Sequence, residues 1–443
     1  MAKRAVGRAP SRTGFLGEWD ALVGRRGVPA VPPRRGRPAR VPLGDLLAAL
    51  TFHVMQGAGS LGEHFDRLCP DALSDSAAAE RRARLPWAIF ASLMQRVLRP
   101  KATRRQPTAF WRGWRVVALD GTQFNLTNAP QMRPPVPKAR TRRGRAAFGK
   151  LTTAVLLEVG LHNPVAAAIG RAGESEWALA QRLLAHLPKR ALLLGDRLYG
   201  VAAFVVHAQA ACQRVGSHFL LRASRVTKPR VRRRLSDGTR LIAIALRARE
   251  RPHPIVDWLE VREIRVRVAR AGHRAHAVRL WTSLLDPDTA PALELARLYA
   301  QRWEHELYFR ELKRAVRRTD LLQSHTLETA AQEIAALVLA SAILAAQRTR
   351  VAGALPPMRI SFAKLLDLGV RPMWLAVDLT EDIVSEAQLR RILQRGYARL
   401  RQYVTPARRP RTCPRAIRQP TRAWPRLLHP QSTTGEWTIT LAP

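Results

Sequence analysis

Acidic residues are scarce in this sequence. The chain has 33 Asp plus Glu against 75 Lys plus Arg, for a formal net charge of +42 over 443 residues. Such a charge repels itself and attracts polyanions, and nucleic acid is the usual partner of a chain with this balance. A GC-rich genome alone can enrich Arg and Ala, but codon bias need not leave acidic residues so few. The charge balance therefore predicts binding to nucleic acid.

Cysteines and long apolar runs are scarce too. Cys69, Cys212 and Cys413 are odd in number and widely scattered, which excludes a disulfide framework and the paired spacing of a zinc site. The N-terminal "MAKRAVGRAPSRTGF" lacks the apolar core of a signal peptide. The longest apolar run, 334–346, has about 13 residues, too few to span a bilayer. We therefore expect a cytoplasmic, nucleoid-associated protein with no membrane partner.

Composition divides the chain into six parts. The first is a basic arm with a helical N-terminal domain, and the last is a basic, Pro-rich tail that we expect to be extended or disordered. Between them, mixed α/β segments flank a β-rich insertion in which Asp237-Gly238 predicts a turn, and a helical region follows. The predicted bounds are 1–105, 106–222, 223–275, 276–350, 351–405 and 406–443.

The α/β part predicts strands with aspartates at their ends. "WRVVALDGTQF" predicts a strand that ends at Asp120 and is followed by a turn. "LTTAVLLEVG" and "PVAAAIGRA" predict two strands joined by the turn "LHN". "RALLLGDRLYG" predicts a strand buried on both faces that ends at Asp196. Ligands and catalytic groups of open α/β sheets gather at such strand ends.

One helix carries an unusual stripe. "YAQRWEHELYFRELKR" has no Pro or Gly and predicts a helix. At about 100° per residue, Arg302, Glu306 and Lys313 lie within about 60° of Tyr299. A stripe that faces a core should be apolar, so this one is either a solvated face with salt bridges or a site.

The acids Asp120, Asp196 and Glu306 form a candidate metal site. Three carboxylates brought together repel each other, and divalent ions about 3.5–4 Å apart would relieve that repulsion. Oxygen ligands suit Mg²⁺ or Mn²⁺. On a basic protein this chemistry indicates cutting or joining of DNA. An aspartate before Gly-Thr is also a common turn cap, so each acid alone is weak evidence.

Taken together, these motifs resemble a known family. The spacing Tyr299, two residues, Arg302, three residues, Glu306, six residues, Lys313 matches the tyrosine–arginine–glutamate–lysine signature of DDE insertion-sequence transposases of the insertion-sequence-four class. "LDGTQF" and "LLLGDRLYG" look like that family's two aspartate motifs, and "RLWTSLLD" resembles the strand before its third carboxylate. The resemblance covers about residues 110–345.

The resemblance implies an α/β, ribonuclease-H-like mixed-sheet core interrupted by the β-rich insertion, with helical regions on either side in the chain. It implies cut-and-paste transposition of the element's own DNA with two divalent ions, Mg²⁺ or Mn²⁺. Asp120 would bridge the ions, and Asp196 and Glu306 would each hold one. Tyr299, Arg302 and Lys313 would grip phosphates of the DNA.

The expected partners are double-stranded DNA, as inverted-repeat ends and target, and a second copy of the chain, because two ends need two active sites. The N-terminal helical domain is expected to recognise the ends.

Two other functions remain open. A nuclease with the same core would cleave DNA without joining it, and a decayed transposase would bind DNA only.

Several further residues have uncertain roles. Trp281 and Trp303 could stack a flipped base or pack, His305 and His325 lack partner spacing for a metal, Arg197 and Tyr199 could orient the loop after Asp196, and Arg232–Arg234 could follow a DNA backbone or be solvated.

Overall fold

The computed structural model describes most of the chain. The described residues are 14–30, 41–56, 58–69, 73–132, 136, 138, 140–141, 144–171, 173–248, 251–270, 273–319, 321–380, 383–405 and 437–441. Much of the predicted basic arm (1–13 and 31–40), most of the predicted tail (406–436) and Cys413 lie outside them. Cys69 and Cys212 are buried free thiols.

Helices dominate the N-terminal hundred residues and the region after the signature stretch. Their bounds, in chain order, are α1 Phe15–Gly27, α2 Leu43–His53, α3 Leu61–Leu68, α4 Asp75–Ala83, α5 Trp87–Val97, α6 Glu176–Leu183, α7 Ala202–Arg214, α8 Ala292–Tyr299, α9 Trp303–Arg310, α10 Leu327–Ala352, α11 Phe362–Lys364, α12 Arg371–Thr380 and α13 Glu386–Leu400.

Strands fill the middle of the chain. Their bounds are β1 Phe110–Trp111, β2 Trp114–Asn125, β3 Arg140–Thr141, β4 Gly144–Arg145, β5 Lys150–Glu158, β6 Asn163–Ile169, β7 Ala191–Gly195, β8 His218–Arg222, β9 Arg230–Arg234, β10 Arg240–Arg247, β11 Ile255–Arg270, β12 His273–Thr282 and β13 Trp437–Leu441.

The chain forms two compact units, and the second is inserted into the first. Unit 1 comprises 1–110, 116–186 and 304–404, and unit 2 comprises 111–115, 187–303 and 405–443. The two units are defined by contacts between residues. The six-part division follows from composition and stays a prediction.

Unit 1 is built around the long helix α10. Thr326 caps its N-terminus, with its side chain accepting a hydrogen bond from the backbone of Thr329. Helices α1, α2 and α5 pack on it, and their apolar side chains share one buried cluster with it. By length and composition α10 could cross a membrane, but 89% of its most apolar window is buried inside the protein, which is the pattern of a core helix.

An antiparallel sheet of β2, β5 and β6 completes unit 1. The turn at 159–162 joins β5 to β6, as "LHN" predicted. The prediction that β2 ends at Asp120 is wrong, because the strand continues to Asn125 and pairs with β5 as far as Lys150. The ladder of hydrogen bonds to β5 outweighs the turn preference of Asp-Gly.

Unit 2 contains the parallel pair β7 and β8 and the β-rich insertion. β7 runs parallel to β8, helix α7 connects them, and β12 pairs antiparallel with β8. β12, β11, β10 and β9 then follow as an antiparallel series. The predicted turn at Asp237-Gly238 joins β9 to β10, and Gly238 has φ +79° there. β13, within the predicted tail, pairs with the end of β11.

Gly200, after β7, is required by close backbone packing. A Cβ at this position would lie 1.9 Å from the carbonyl oxygen of Arg222, and backbone cannot move away as a flexible side chain can. The amide of Ser224 also donates to the Gly200 carbonyl, at 2.7 Å. The segment that follows Asp196 is therefore held against the end of β8.

We expect Gly200→Ala to lower the free energy of unfolding by about 1–3 kcal/mol, the usual cost of overpacking. Urea unfolding followed by circular dichroism measures it. Gly44→Ala is the control, because a Cβ there meets only Val28, at 3.5 Å, and Ala is favoured over Gly in helices. Equal stability of the two variants would show that the contact at Gly200 is not limiting.

Candidate active site

Asp120 lies in the middle of β2 and is half-buried. Its carboxylate accepts a hydrogen bond from the amide of Gly121, at 2.9 Å. Asp120 pairs directly with Val155 of β5, and Val155 packs in a buried cluster with Tyr308 and Phe309 of α9. Directly paired residues point to the same face of a sheet. The side chain of Asp120 therefore points to the face that α9 covers.

Glu306 and Lys313 belong to the helix on that face. Glu306 lies in α9 and is half-buried. The ammonium of Lys313 donates to the backbone carbonyl of Gln123, at 2.6 Å, and lies 5.0 Å from the ring centroid of Phe124. Phe124 is four residues after Asp120 on β2, so both point to the same face. Unit 1 thus carries Asp120, Glu306 and Lys313 on one side of its sheet.

Asp196, Tyr299 and Arg302 are neighbours in unit 2. Asp196 follows β7, and its carboxylate accepts a hydrogen bond from the amide of Leu198, at 2.7 Å. The Tyr299 hydroxyl donates to the carbonyl of Gly195, at 3.2 Å. Burial, with a smaller contribution from Asp196, raises the pKa of Tyr299 to about 12, although the hydrogen-bonded Arg302 opposes the shift. Tyr299 therefore stays protonated at neutral pH, beside the end of β7.

The signature stretch is helical but is not one regular α-helix. α8 ends at Tyr299, a 3-10 turn spans Ala300–Arg302, α9 follows, and Glu311–Val316 forms a π-helix. The amide of Arg317 donates to the carbonyl of Leu312, at 3.0 Å, which is the five-residue step of a π-turn. The single straight stripe predicted at 100° per residue is therefore wrong, because the helix tightens before α9 and widens after it.

A buried charge network holds the opposite side of this helix. His162, in the turn between β5 and β6, contacts Glu311 through Nδ1 at 2.7 Å and Glu304 through Nε2 at 3.3 Å. Arg348 of α10 donates to Glu311 at 3.1 Å. His162 is 3% exposed and has φ +53°. We call these four residues the clamp.

The clamp charges reinforce each other. Burial opposes the charged form of His162, but Glu311 and Glu304 outweigh it and raise its pKa. Burial likewise opposes the charged form of Glu311, but His162 and Arg348 outweigh it and lower its pKa. Below the raised pKa of His162, two cations and two anions are thus balanced in this largely buried network, where an unpaired charge would be costly.

The clamp and the signature use different sides of one helix. Within α9, Glu304 and Glu306 are two residues apart and therefore point about 200° apart around the axis. Glu311 and Lys313 repeat this two-residue offset in the π-helix, seven residues later. The signature indicates only Glu306 and Lys313, and "LHN" predicts only a turn. The seven-residue spacing of the two remaining acids was the signal available for the clamp.

Three other residues that the sequence singles out pack against neighbouring side chains. Trp281 is fully buried, and its indole N–H donates to Glu263 at 3.2 Å, so it packs in the β-rich insertion. His305 is buried and stacks on Phe309 with ring centroids 4.7 Å apart. Tyr199 is buried against Phe204, 4.8 Å between centroids, whereas Arg197 is exposed. His325 is exposed, and the stacking role considered for Trp303 stays a prediction.

Strand β9 carries the predicted arginine run. All its residues are exposed, and the guanidinium groups of Arg230 and Arg232 lie 4.6 and 5.8 Å from the ring centroid of Trp258. The strand therefore offers an exposed cationic surface whose partner stays a prediction.

No group of three or more His, Cys, Asp or Glu side chains close enough to hold a metal ion occurs among the residues that the structure describes. The metal roles of Asp120, Asp196 and Glu306 stay predictions.

Comparison with known proteins decides the family. The family model described as "Transposase DDE domain" matches residues 111–343, more than half of the chain. The chain belongs to this family. The transposase is thus an enzyme that acts on DNA. Its chain order of three antiparallel strands (β2, β5, β6), helix α6, strand β7, helix α7 and strand β8 agrees with a ribonuclease-H-like core in an α/β fold.

Two curated relatives come from Escherichia coli (strain K12). The transposase is 25% identical over 325 residues to "Transposase InsG for insertion sequence element IS4", which covers 72% of this chain and 70% of InsG. It is 28% identical to InsZ over 153 residues, 34% of this chain and 50% of InsZ. The similarity to InsG supports the insertion-sequence-four class predicted from the signature.

Among solved structures, the transposase is similar to the chain in "Cryo-EM structure of piggyBac transposase synaptic complex with hairpin DNA (SNHP)". The TM-score is 0.42 at 10% identity, and the alignment covers 88% of this chain and 87% of that chain. The family assignment rests on the family model and the curated relatives.

We expect His162→Gln to lower the free energy of unfolding by about 3 kcal/mol at pH 6, because it removes the cation that bridges Glu304 and Glu311 and leaves Arg348 as the one cation of the clamp. The pKa of His162 is raised above its unfolded value of about 6.5. Its contribution is therefore complete below about pH 6.5 and is lost as pH rises through the folded pKa. Urea unfolding at pH 6, 7.5 and 9 measures the difference from the unchanged transposase.

The exposed His186 provides a matched control. His186→Gln should change stability little at any of these pH values. A difference between His162→Gln and the unchanged transposase that stays constant from pH 6 to pH 9 would contradict a charged His162.

Proposed function

We propose that this transposase moves its own insertion sequence by cut-and-paste transposition, cleaving DNA at inverted-repeat ends and joining them to target DNA. The observation that carries the proposal is the family match over residues 111–343, which contains both aspartate motifs and the complete tyrosine–arginine–glutamate–lysine signature. InsG, the relative that aligns over most of its length, is named as a transposase of an insertion sequence element.

Asp120, Asp196 and Glu306 would hold two divalent ions, Mg²⁺ or Mn²⁺. These ions prefer oxygen donors such as carboxylates. Asp120 points to the face of the sheet that α9, the helix of Glu306, covers, which supports joint binding of the ions by these two residues. Bound ions would activate the attacking hydroxyl and stabilise the leaving oxygen of the phosphodiester. Because the carboxylates repel each other, a closely spaced triad is favoured only when cations are present.

The cationic residues of the signature would position the DNA backbone. Lys313 has a flexible ammonium with three donors, one of which reaches Gln123. Arg302 offers a planar fork that fits phosphate oxygens. Tyr299 stays protonated, and its hydroxyl can orient the end of β7 as well as donate to a phosphate.

The partners in this proposal are double-stranded DNA and a second copy of the chain. The net charge of +42 supports DNA binding through phosphates, and simultaneous work on two ends requires two active sites. The cytoplasmic location stays a prediction from the sequence.

Cleavage of a labelled duplex that carries the element's inverted repeats tests the reaction. With Mg²⁺, we expect the unchanged transposase to cut at the repeat boundary and to form joined products with target DNA. Glu306→Gln and Asp120→Asn should lower the cleavage rate by at least about 100–1,000-fold, comparable to loss of a key electrostatic group, while the DNA Kd stays within about threefold.

Glu386→Gln, an exposed carboxylate on α13 paired with Arg390, is the charge-matched control and should cleave normally. Cutting without joined products would replace transposition by hydrolysis alone. Equal cleavage rates of Glu306→Gln and the control would contradict the assignment of Glu306 to the active site.

Tyr299→Phe separates two roles of the signature tyrosine, since it removes only the hydroxyl that donates to Gly195. We expect the cleavage rate to fall about tenfold, the effect of one hydrogen bond that positions a reacting group, with the DNA Kd unchanged. Single-turnover cleavage and binding assays measure both. A weaker Kd at an unchanged maximal rate would instead make the hydroxyl a phosphate contact.

A further inference from the structure

Unit 1 contains a polar cavity that none of the six predicted site residues lines. Its volume is about 190 Å³, whereas a water molecule occupies about 30 Å³ in the liquid. It is bounded by the end of α2, by Arg82 near the end of α4, by residues 317–319 after the π-helix, and by the first half of α10. The cavity can therefore hold a small polyatomic ion together with water.

Three guanidinium groups line this cavity, those of Arg82, Arg317 and Arg318. Arg82 donates to neutral acceptors: the hydroxyl of Ser324 and the carbonyl of Thr329, both at 2.8 Å. Arg318 pairs with Asp367 at 3.1 Å and is about half exposed. The lining is thus rich in positive charge.

The carboxylate that lines the cavity is already engaged. Glu333 receives Arg317 at 2.6 Å on one oxygen, and the hydroxyl of Ser324 at 2.6 Å on the other. The amides of Gln323 and Ser324 donate to it as well. Glu333 is thus paired with Arg317, and Arg318 is paired with Asp367, which leaves an excess of one positive charge, that of Arg82, at the cavity.

Arg317 also has an unused donor. Its side chain is only 9% exposed, and its Nε is buried without a hydrogen-bond partner among the described residues. Buried donors of a charged group are rarely left unpaired. A guanidinium that lines a cavity and retains a buried N–H has a hydrogen bond left to donate to an external oxygen.

The pKa of His53 depends on the charges around the cavity. Its Nδ1 lies 2.8 Å from Nδ1 of His64. Burial first, and then His64, Arg82 and Arg317, together lower the pKa of His53 to about 4, against the opposing charge of Asp75. The imidazole is therefore neutral at physiological pH, and an anion bound beside it would make its protonation easier.

We infer that this cavity is an oxyanion-binding site that takes a phosphate group. The fork of Arg suits the oxygens of phosphate, and the volume fits one such group. The phosphate can come from free inorganic phosphate or from a DNA backbone, and these two sources have the same recognition chemistry. The site is independent of the proposed reaction.

The test measures the pKa of His53 by NMR on the intact chain labelled in its histidine rings. We expect inorganic phosphate to raise that pKa by about one unit or more, as an opposite charge nearby does, while chloride at the same ionic strength does not. A 16-base-pair duplex without inverted repeats forms the second arm. A rise with duplex as well as phosphate assigns the site to backbone phosphates, and a rise with phosphate alone assigns it to the free anion.

Two variants distinguish a site from diffuse surface charge. Gln56→Glu adds a carboxylate to the cavity lining without removing an arginine, and should abolish the response to phosphate. Arg84→Gln removes a charge two residues from Arg82, on a side chain that is 72% exposed, and should leave the response intact. The absence of any phosphate response in the unchanged protein, or equal loss in both variants, would overturn the inference.

Discussion

The contact of His162 with Glu304 of α9 and with Glu311, at the start of the π-helix, is the constraint on which the arrangement of unit 1 depends. It joins three elements that are distant in sequence, because the β5–β6 turn, the signature helix and α10 all contribute a charge. Buried charges are tolerated only when they are paired with good geometry. The turn, α9 and α10 are therefore fixed relative to each other within this unit, and the opposite side of α9 keeps one orientation.

This arrangement separates support from chemistry along a single helix. One side carries Glu304 and Glu311, whose carboxylates form ion pairs with the buried His162. The other side carries Glu306 and Lys313 over the face of β2 and β5. The apolar residues Tyr308, Phe309 and Leu312 seal the contact with the sheet between them. Without the clamp, α9 could rotate about its axis. The carboxylate of Glu306 would then not keep a fixed position above β2.

Much of the fold was accessible from the sequence, since apolar runs with turn residues between them predicted β5, β6, β7 and the order of helices around them. Local patterns failed where contacts between distant segments decide. Asp120-Gly121 looks like a turn, but pairing with β5 keeps it extended. Helical periodicity cannot reveal a change from α to π geometry, because that change depends on what the helix packs against. Likewise, the partner of Glu311 is a histidine almost 150 residues earlier, and no spacing rule connects them.

The pairing of β13 with β11 has a consequence for the order in which the β-rich insertion can be completed. Residues 266–270 of β11 have β12 on one side and β13, about 170 residues later in the chain, on the other. Until residues 437–441 arrive, that edge of β11 presents unpaired backbone groups that can recruit a strand from another molecule. Pairing across so long a loop is slow to form. The open edge is thus a place where a folding intermediate of this chain is exposed to self-association.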